Sequence, residues 1–494
     1  MDYLIGIDAG TTNQKAILFD RSGQIAAQAI RPSPLTRGTD GSAVYDATAV
    51  WEQICSMLRE ITGGIPPETH RRIVGIAVTG MAEAGVLLGA DGMPLYPFIA
   101  WYDSRTIPYK VWWEAHFPKG RITEITGLKP QHIFSVNKLM WLRDHCPDLF
   151  AKAAVWCCME DFIGYRLSGT AKMDYSIASR TMMMDLKNRT WSPEILEAAG
   201  LSRTLLPELT APGAKIGTVT AAAAKATGLP EGMPVFAGGH DHICGALACG
   251  CLDERMVLDS SGTAEEVLVA TDRYEKVIAL GQAGFNVGRY VVPGLYYTAS
   301  GMPASGASMD WYQRKFPLTE DEAAARKPGA NGLLFLPHLR GSSSPERDPV
   351  SRGAFVGIRE YHSQADFSQA VYEGLCFEFR KSLERLTYGA VPEKIIAIGG
   401  GTKNALWIQT KADITGLPIE IPVIQESTAL GAALLAGIGA GLYSSATDAA
   451  SCVYRVGRRV CPNPAHWEQY ERQFQLYGGL SDALYPVFRE MDEK

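Results

Sequence analysis

Long hydrophobic runs, long basic runs and paired cysteine spacings are all missing from this chain of 494 residues. The most apolar stretch, residues 428–443, is rich in Gly and Ala and too short to span a bilayer, so it reads as a buried helix packed closely on its neighbours. The N-terminus carries an early acid, Asp2, and lacks both a basic segment and an apolar run of signal-peptide length, so a cytoplasmic protein with no membrane partner is expected. A net charge of −6 supplies no basic field for a polyanion, and nucleic acid is not an expected partner. The ten cysteines, with Cys157 and Cys158 adjacent, show neither a disulfide framework nor a CxxC pair and are expected as reduced thiols. The Walker A pattern and a strand-to-helix GxGxxG are absent, which argues against P-loop NTPases and dinucleotide enzymes. No HExxH or Cys/His spacing of a zinc site occurs.

What is present is a globular composition, 46% hydrophobic and 20% charged, in a chain longer than one core usually organises. Two domains with a ligand cleft between them follow, residues 1–250 and residues 251–494. Short apolar runs at 3–7, 15–19, 73–78, 235–237 and 395–398 alternate with helical patterns at 49–61 and 366–386, the signature of an α/β fold. Residues 467–488 read as closing helices. Two strand-turn-strand segments carry Gly and Thr at their tips, Gly10-Thr11-Thr12 in the first half and Gly262-Thr263 in the second. Their recurrence suggests a duplicated domain with nucleotide clamped between the copies.

The first turn assembles Asp8, Gly10, Thr11, Thr12 and Lys15. Glycine lets backbone N–H groups approach phosphate oxygens, Thr hydroxyls donate to them, and Asp8 can hold a hydrated Mg²⁺; an ordinary hairpin turn is the alternative. Gly399-Gly400-Gly401, followed by Asn404, offers close backbone approach and an amide able to pair with a purine edge. At 235–242 a strand ends in Gly238-Gly239-His240-Asp241-His242, presenting a carboxylate that could take a hydroxyl proton, or else cap a helix. A metal site of His240, Asp241 and His242 is disfavoured, because strand alternation would turn Asp241 away from both histidines. Loops at 81–85 and 101–105 are candidate acceptor loops: Glu83 to accept from a diol, Trp101 to cover an apolar sugar face. Asp103 and Arg105 read better as a structural ion pair.

In order, these pieces resemble the FGGY family of carbohydrate kinases over nearly the whole chain. The resemblance is carried by GIDAGTTNQKAILFD (6–20), AWYDSR (100–105), SVNKLMWL (135–142), MEDFIGYRLSGT (159–170) and DYSIASRT (174–181), then GGHDHICGALACG (238–250), SSGTAEE (260–266), GAFVGI (353–358), IGGGTKNALW (398–407) and ESTALGAALLAG (426–437). It implies two actin-like ribonuclease H-type α/β domains, ATP and Mg²⁺ in the interdomain cleft, and a sugar or polyol beneath them. By motif, it implies Asp241 as catalytic base, Asp8 near magnesium, and Thr11, Thr12, Lys15, Gly262 and Thr263 on the phosphates. Gly306, Asp310, Gly400, Gly401 and Asn404 fall near the nucleotide; Ala82, Glu83, Trp101 and His242 fall near the acceptor. Ala82 and Glu83 stand where xylulokinases have Met-His and glycerol kinases Gln-Arg, and His242 where xylulokinases have Asn. Glu83 would repel a sugar acid unless Arg105 or another cation neutralised it, so a neutral ketose is the expected acceptor, with a polyol or sugar acid as the alternative. Homodimers are common among such kinases. A non-catalytic nucleotide clamp of the actin or chaperone kind is the rival reading, and it has no need of Asp241 joined to the Glu83 and Trp101 loops.

Overall fold

The computed structural model describes residues 2–424 and 426–492. Its first sheet begins with a meander of β1 (Tyr3–Ala9), β2 (Asn13–Asp20) and β3 (Ile25–Pro32), followed by helix α1 (Ala47–Gly63). It is completed by β4 (Ile73–Gly80), β5 (Lys215–Thr218) and β6 (Pro234–His240), in the order β5-β6-β4-β1-β2-β3. β1, β4 and β6 run parallel; β2, β3 and β5 are antiparallel to their neighbours. Helix α2 (Asp241–Ala248) leaves the end of β6 directly.

The second sheet repeats this arrangement. It contains β7 (Met256–Ser261), β8 (Glu265–Thr271), β9 (Asn286–Arg289), β10 (Tyr296–Met302), β11 (Lys394–Ile398), β12 (Ile419–Pro422) and β13 (Val456–Val460) in the order β9-β10-β8-β7-β11-β12-β13. The series β10-β8-β7-β11-β12 reproduces β3-β2-β1-β4-β6 in order and direction. Both Gly/Thr turns therefore occupy the same hairpin in their own sheets. Among the helices of the second half are α3 (Ser305–Lys315), α4 (Gln364–Thr387), α5 (Ala405–Thr415), α6 (Ser427–Gly439), α7 (Trp467–Gly478) and α8 (Leu480–Asp492).

The apolar segment near 428–443 becomes α6, and it crosses back to the first half, packing on β1, β4, β6 and α2. Small residues permit the approach: a Cβ on Gly6 would lie 1.9 Å from the Ala429 carbonyl oxygen, and one on Gly431 the same distance from that of Cys244. The helix is apolar nearly all round because both faces are covered. The ten cysteines form no disulfide, and no helix among the described residues is long and apolar enough to cross a membrane.

Candidate functional site

The end of β6 is shaped by a bulge. The pairing of β6 with β4 slips between Ala237 and Gly239, and a side chain on Gly238 would drive into the Val78 carbonyl, 1.9 Å away. Bulges of this kind re-aim the residues beyond them. Thr79 Oγ1 donates to the Gly239 carbonyl at 2.6 Å, and Ser176 Oγ accepts from the His240 N–H at 3.0 Å, so the exit is fixed from two sides.

Asp241 then opens α2, where the positive end of the helix dipole favours a carboxylate. Its Oδ1 accepts from the His242 N–H at 2.6 Å and lies 3.0 Å from His240 Nδ1 and 3.9 Å from His242 Nε2. The expectation that Asp241 turns away from both histidines is thus corrected: the strand stops at His240, so period-two alternation does not extend to Asp241. Among the described residues, however, no group of three or more His, Cys, Asp or Glu is placed to hold a metal. Burial would raise the Asp241 pKa, but His242, His240 and the His242 N–H overcome it and hold the carboxyl well below its usual range. His242 is raised to about 9, chiefly by the Glu266 carboxylate, with Asp241 adding to it against the cost of burial.

A cavity of about 260 Å³ collects Thr11, Glu83, Trp101, Asp241 and His242. It opens beside a larger one of about 660 Å³ lined by Ser260, Gly262, Gly399 and Gly400, and Trp101, His242, Glu266 and Arg347 face both. Trp101 Nε1 donates to Thr11 Oγ1 at 3.3 Å, joining the 101–105 loop to the first turn. Ala82, expected beside Glu83 at the acceptor, is completely buried in the core, and Met81 and Glu83 line the cavity instead.

In the first turn Gly10 N–H donates to the Asn13 carbonyl at 3.1 Å, while the Thr12 side chain is exposed. Asp8 is buried, its Oδ1 has no hydrogen-bond partner among the described residues, and its pKa is raised to about 7 by burial and then by the charge of Asp241, against the opposing pull of Lys15. A carboxylate oxygen left unpaired beneath a Gly/Thr turn fits a hydrated Mg²⁺ held jointly with phosphates. The second turn has the equivalent closure, Gly262 N–H to the Ala264 carbonyl at 2.9 Å, with Thr263 exposed. It docks on the start of α3: Gly306 and Ala307 N–H donate to the Gly262 and Thr263 carbonyls at 3.0 and 3.1 Å, with Asp310 exposed one turn along. Gly399, at φ +91°, passes so close to Ser261 that a Cβ would lie 2.4 Å from its carbonyl oxygen, whereas among the described residues nothing lies within 4 Å of where one on Gly400 would point. That cradle, with Gly401 behind it, fits a nucleotide approached by bare backbone.

Two further expectations change. Asn404 does not hold its amide ready for a purine edge: Oδ1 caps α5 by accepting from Trp407 N–H at 3.1 Å, and Nδ2 donates to the Tyr372 hydroxyl at 3.1 Å. Arg105 is tied to Asp103 by two bonds of 2.8 and 2.9 Å, the structural pair favoured from sequence. The cation that neutralises Glu83 is Arg180, whose Nε lies 2.7 Å and Nη2 2.5 Å from Oε1. Arg180, Asn286, Tyr297, Glu266 and Arg347 all line the small cavity and had no role in the sequence reading. Arg180 lay in a noticed motif, DYSIASRT, but nothing local reveals a partner 97 residues away.

Residues 3–248 match the FGGY family of carbohydrate kinases, N-terminal domain, and residues 259–440 its C-terminal domain. The chain belongs to the FGGY family. Xylulose kinase of Bacillus subtilis (strain 168) is 31% identical over 487 residues, covering 97% of each chain. L-fuculokinase of Escherichia coli (strain K12) is 29% identical over 473 residues, 93% of this chain and 97% of the other. The crystal structure of xylulose kinase from Rhodospirillum rubrum superposes with a TM-score of 0.92 at 30% identity, covering 99% of this chain and 100% of that one. As an FGGY kinase the protein has the paired actin-like, ribonuclease H-type domains expected from sequence, and it phosphorylates a carbohydrate with ATP and Mg²⁺.

Proposed function

We propose that this FGGY kinase phosphorylates a hydroxyl of a small neutral ketose, as the xylulose kinases it resembles do, with Asp241 as the base. The observation that carries the reading is the shared position of Asp241, Glu83, Trp101 and Thr11 on one cavity of a size suited to a sugar, next to a larger one edged by glycines. Mg-ATP, when bound, supplies the phosphoryl group and the charge that neutralises it in flight. Residues 1–250 carry the acceptor and phosphate side, residues 251–494 the nucleotide side. Thr11, Thr12, Lys15, Gly262 and Thr263 would hold phosphates, Asp8 the metal, and Gly306, Asp310, Gly400 and Gly401 the nucleotide.

Asp241, ionised by its two histidines, accepts a hydrogen bond from the acceptor hydroxyl and takes its proton as the oxygen becomes nucleophilic. The Glu83 carboxylate, steadied by Arg180, accepts from further hydroxyls; Trp101 covers the carbon face. Closure of the two halves excludes water from the transfer. A sugar-acid acceptor is the second reading, favoured by Arg180 because it removes the net negative charge that Glu83 would present. The enzyme would act in the cytoplasm as a homodimer.

A coupled ADP-release assay over tetruloses, pentuloses, hexuloses, polyols and aldonates tests the assignment. The highest kcat/KM is expected on a pentulose. An aldonate as best acceptor would give the site to the second reading, and ADP release indifferent to every acceptor would refute both.

A further inference from the structure

Arg347 comes from the second half of the chain yet lines the acceptor cavity. Its backbone sits in the left-handed region at φ +48°, where a non-glycine residue is strained and persists only when its surroundings impose it. The surroundings do so. Ser344 N–H donates to the Gly301 carbonyl at 3.1 Å, Arg347 N–H to that of Ser343 at 2.9 Å, Ser342 N–H to that of Asp348 at 2.9 Å, and Asp348 N–H returns to Ser342 Oγ at 2.8 Å. This lashes residues 342–348 to the end of β10. Within it, Arg347 Nε donates to Ser344 Oγ at 2.9 Å, its only side-chain hydrogen bond among the described residues. No carboxylate there forms an ion pair with it, so both terminal nitrogens of a half-buried guanidinium are left for the cavity. From the first half, Arg180 lines the same cavity; Glu83 engages its Nε and Nη2, and the Tyr297 hydroxyl acts on the same guanidinium. Arg347 lines this cavity together with Arg180 and Glu266.

Guanidinium nitrogens only donate. The two terminal nitrogens of Arg347, brought by the second half to a cavity that Arg180 lines from the first, suit an oxygen that only accepts. We infer that Arg347 binds the carbonyl oxygen of the acceptor, beside the Arg180–Glu83 pair, making Arg347 the residue that selects a ketose over the corresponding polyol. This rests on reading the small cavity as the acceptor site. Because Arg347 arrives with the second half, the correct acceptor also ties the halves together at the moment of reaction.

The test uses the enzyme with D-xylulose and each of the two epimeric pentitols made by reducing it, or with whichever ketose and polyol pair turns over best. Replacing Arg347→Met, which keeps the length of the side chain but no donors, is expected to lower kcat/KM on the ketose about 10- to 100-fold, mainly through KM. The polyol should change less than about threefold, so the preference collapses. Calorimetric titration with the ketose should show the same loss of affinity, with ATP and ADP binding unchanged. Arg347→Lys, retaining charge without the fork, should recover only part of the preference, and thermal unfolding of both variants identifies a folding defect. A fall in kcat and in ATP affinity relative to ADP, with the acceptor KM intact, would move Arg347 to the phosphoryl group and overturn the inference. So would wild-type enzyme that treats ketose and polyol alike. If instead Asp241→Asn leaves turnover intact, the acceptor site itself has been misplaced, a failure distinct from either of these.

Discussion

Lys15 Nζ donates to Glu426 Oε2 at 2.6 Å across a separation of 411 residues, and lies 3.8 Å from Asp8 Oδ2. One cation therefore sits between two carboxylates at the base of the first turn. Removing it in Lys15→Met leaves both without that counter-charge at the turn proposed to hold phosphates. The KM for ATP should rise about 10- to 100-fold, with the acceptor KM nearly constant, as steady-state kinetics with each substrate varied will report.

Asp8 predicts a pH dependence of nucleotide binding. Its folded-state pKa of about 7 lies above the ordinary value of 3.8, so the folded protein holds a proton that the unfolded chain has already shed. Between these values stability falls as pH rises, because ionising the buried carboxyl costs free energy. Metal needs the ionised form, so Mg-ATP affinity should increase from pH 6 to pH 8 with release of about one proton. Calorimetry in buffers of different ionisation heat measures that proton, and Asp8→Asn should abolish it.

For Asp241→Asn a loss of about 10²- to 10⁴-fold in kcat is expected with ATP affinity preserved. His242 makes a separate prediction. Its folded pKa of about 9 exceeds the ordinary 6.5, so its favourable charge is fully present below 6.5 and is lost as pH climbs through 9. Activity should decline along that alkaline limb, and His242→Gln should flatten the pH profile there.

Beneath the second turn Lys411 is completely buried between Asp259 and Glu265, 2.5 Å from the Asp259 carboxylate, and Ser305 Oγ donates to Glu265 at 2.6 Å. Lys411→Met would strand two buried carboxyls at a cost of about 3–5 kcal/mol. Denaturant unfolding should show the loss. The double replacement Asp259→Asn with Glu265→Gln in that background should recover part of it.

Sequence pattern disclosed the elements because strands here are short apolar runs closed by Gly/Thr turns, and the helices carry clear apolar stripes. The repeated hairpin was visible as Gly10-Thr11 and Gly262-Thr263, since turn chemistry is local. What sequence could not disclose were pairings set by tertiary contact. Glu83 finds Arg180, not Arg105, because Arg105 is already held by Asp103 only two residues away. Asp241 faces its histidines because the strand ends one residue earlier than alternation assumed. Arg347 carries no signal at all in the string SSSPERD; only the loop's hydrogen bonds reveal where it points.

The crossing of α6 limits how this gene can be rearranged. The apolar trench over β1, β4 and β6 is filled by residues encoded almost two hundred codons downstream of α2. A polypeptide ending near residue 250 would leave that trench open to water and should aggregate unless the remainder is supplied in trans. Chimaeras with other sugar kinases should tolerate an exchange of halves only when Ser427–Gly439 travels with the sheet it covers.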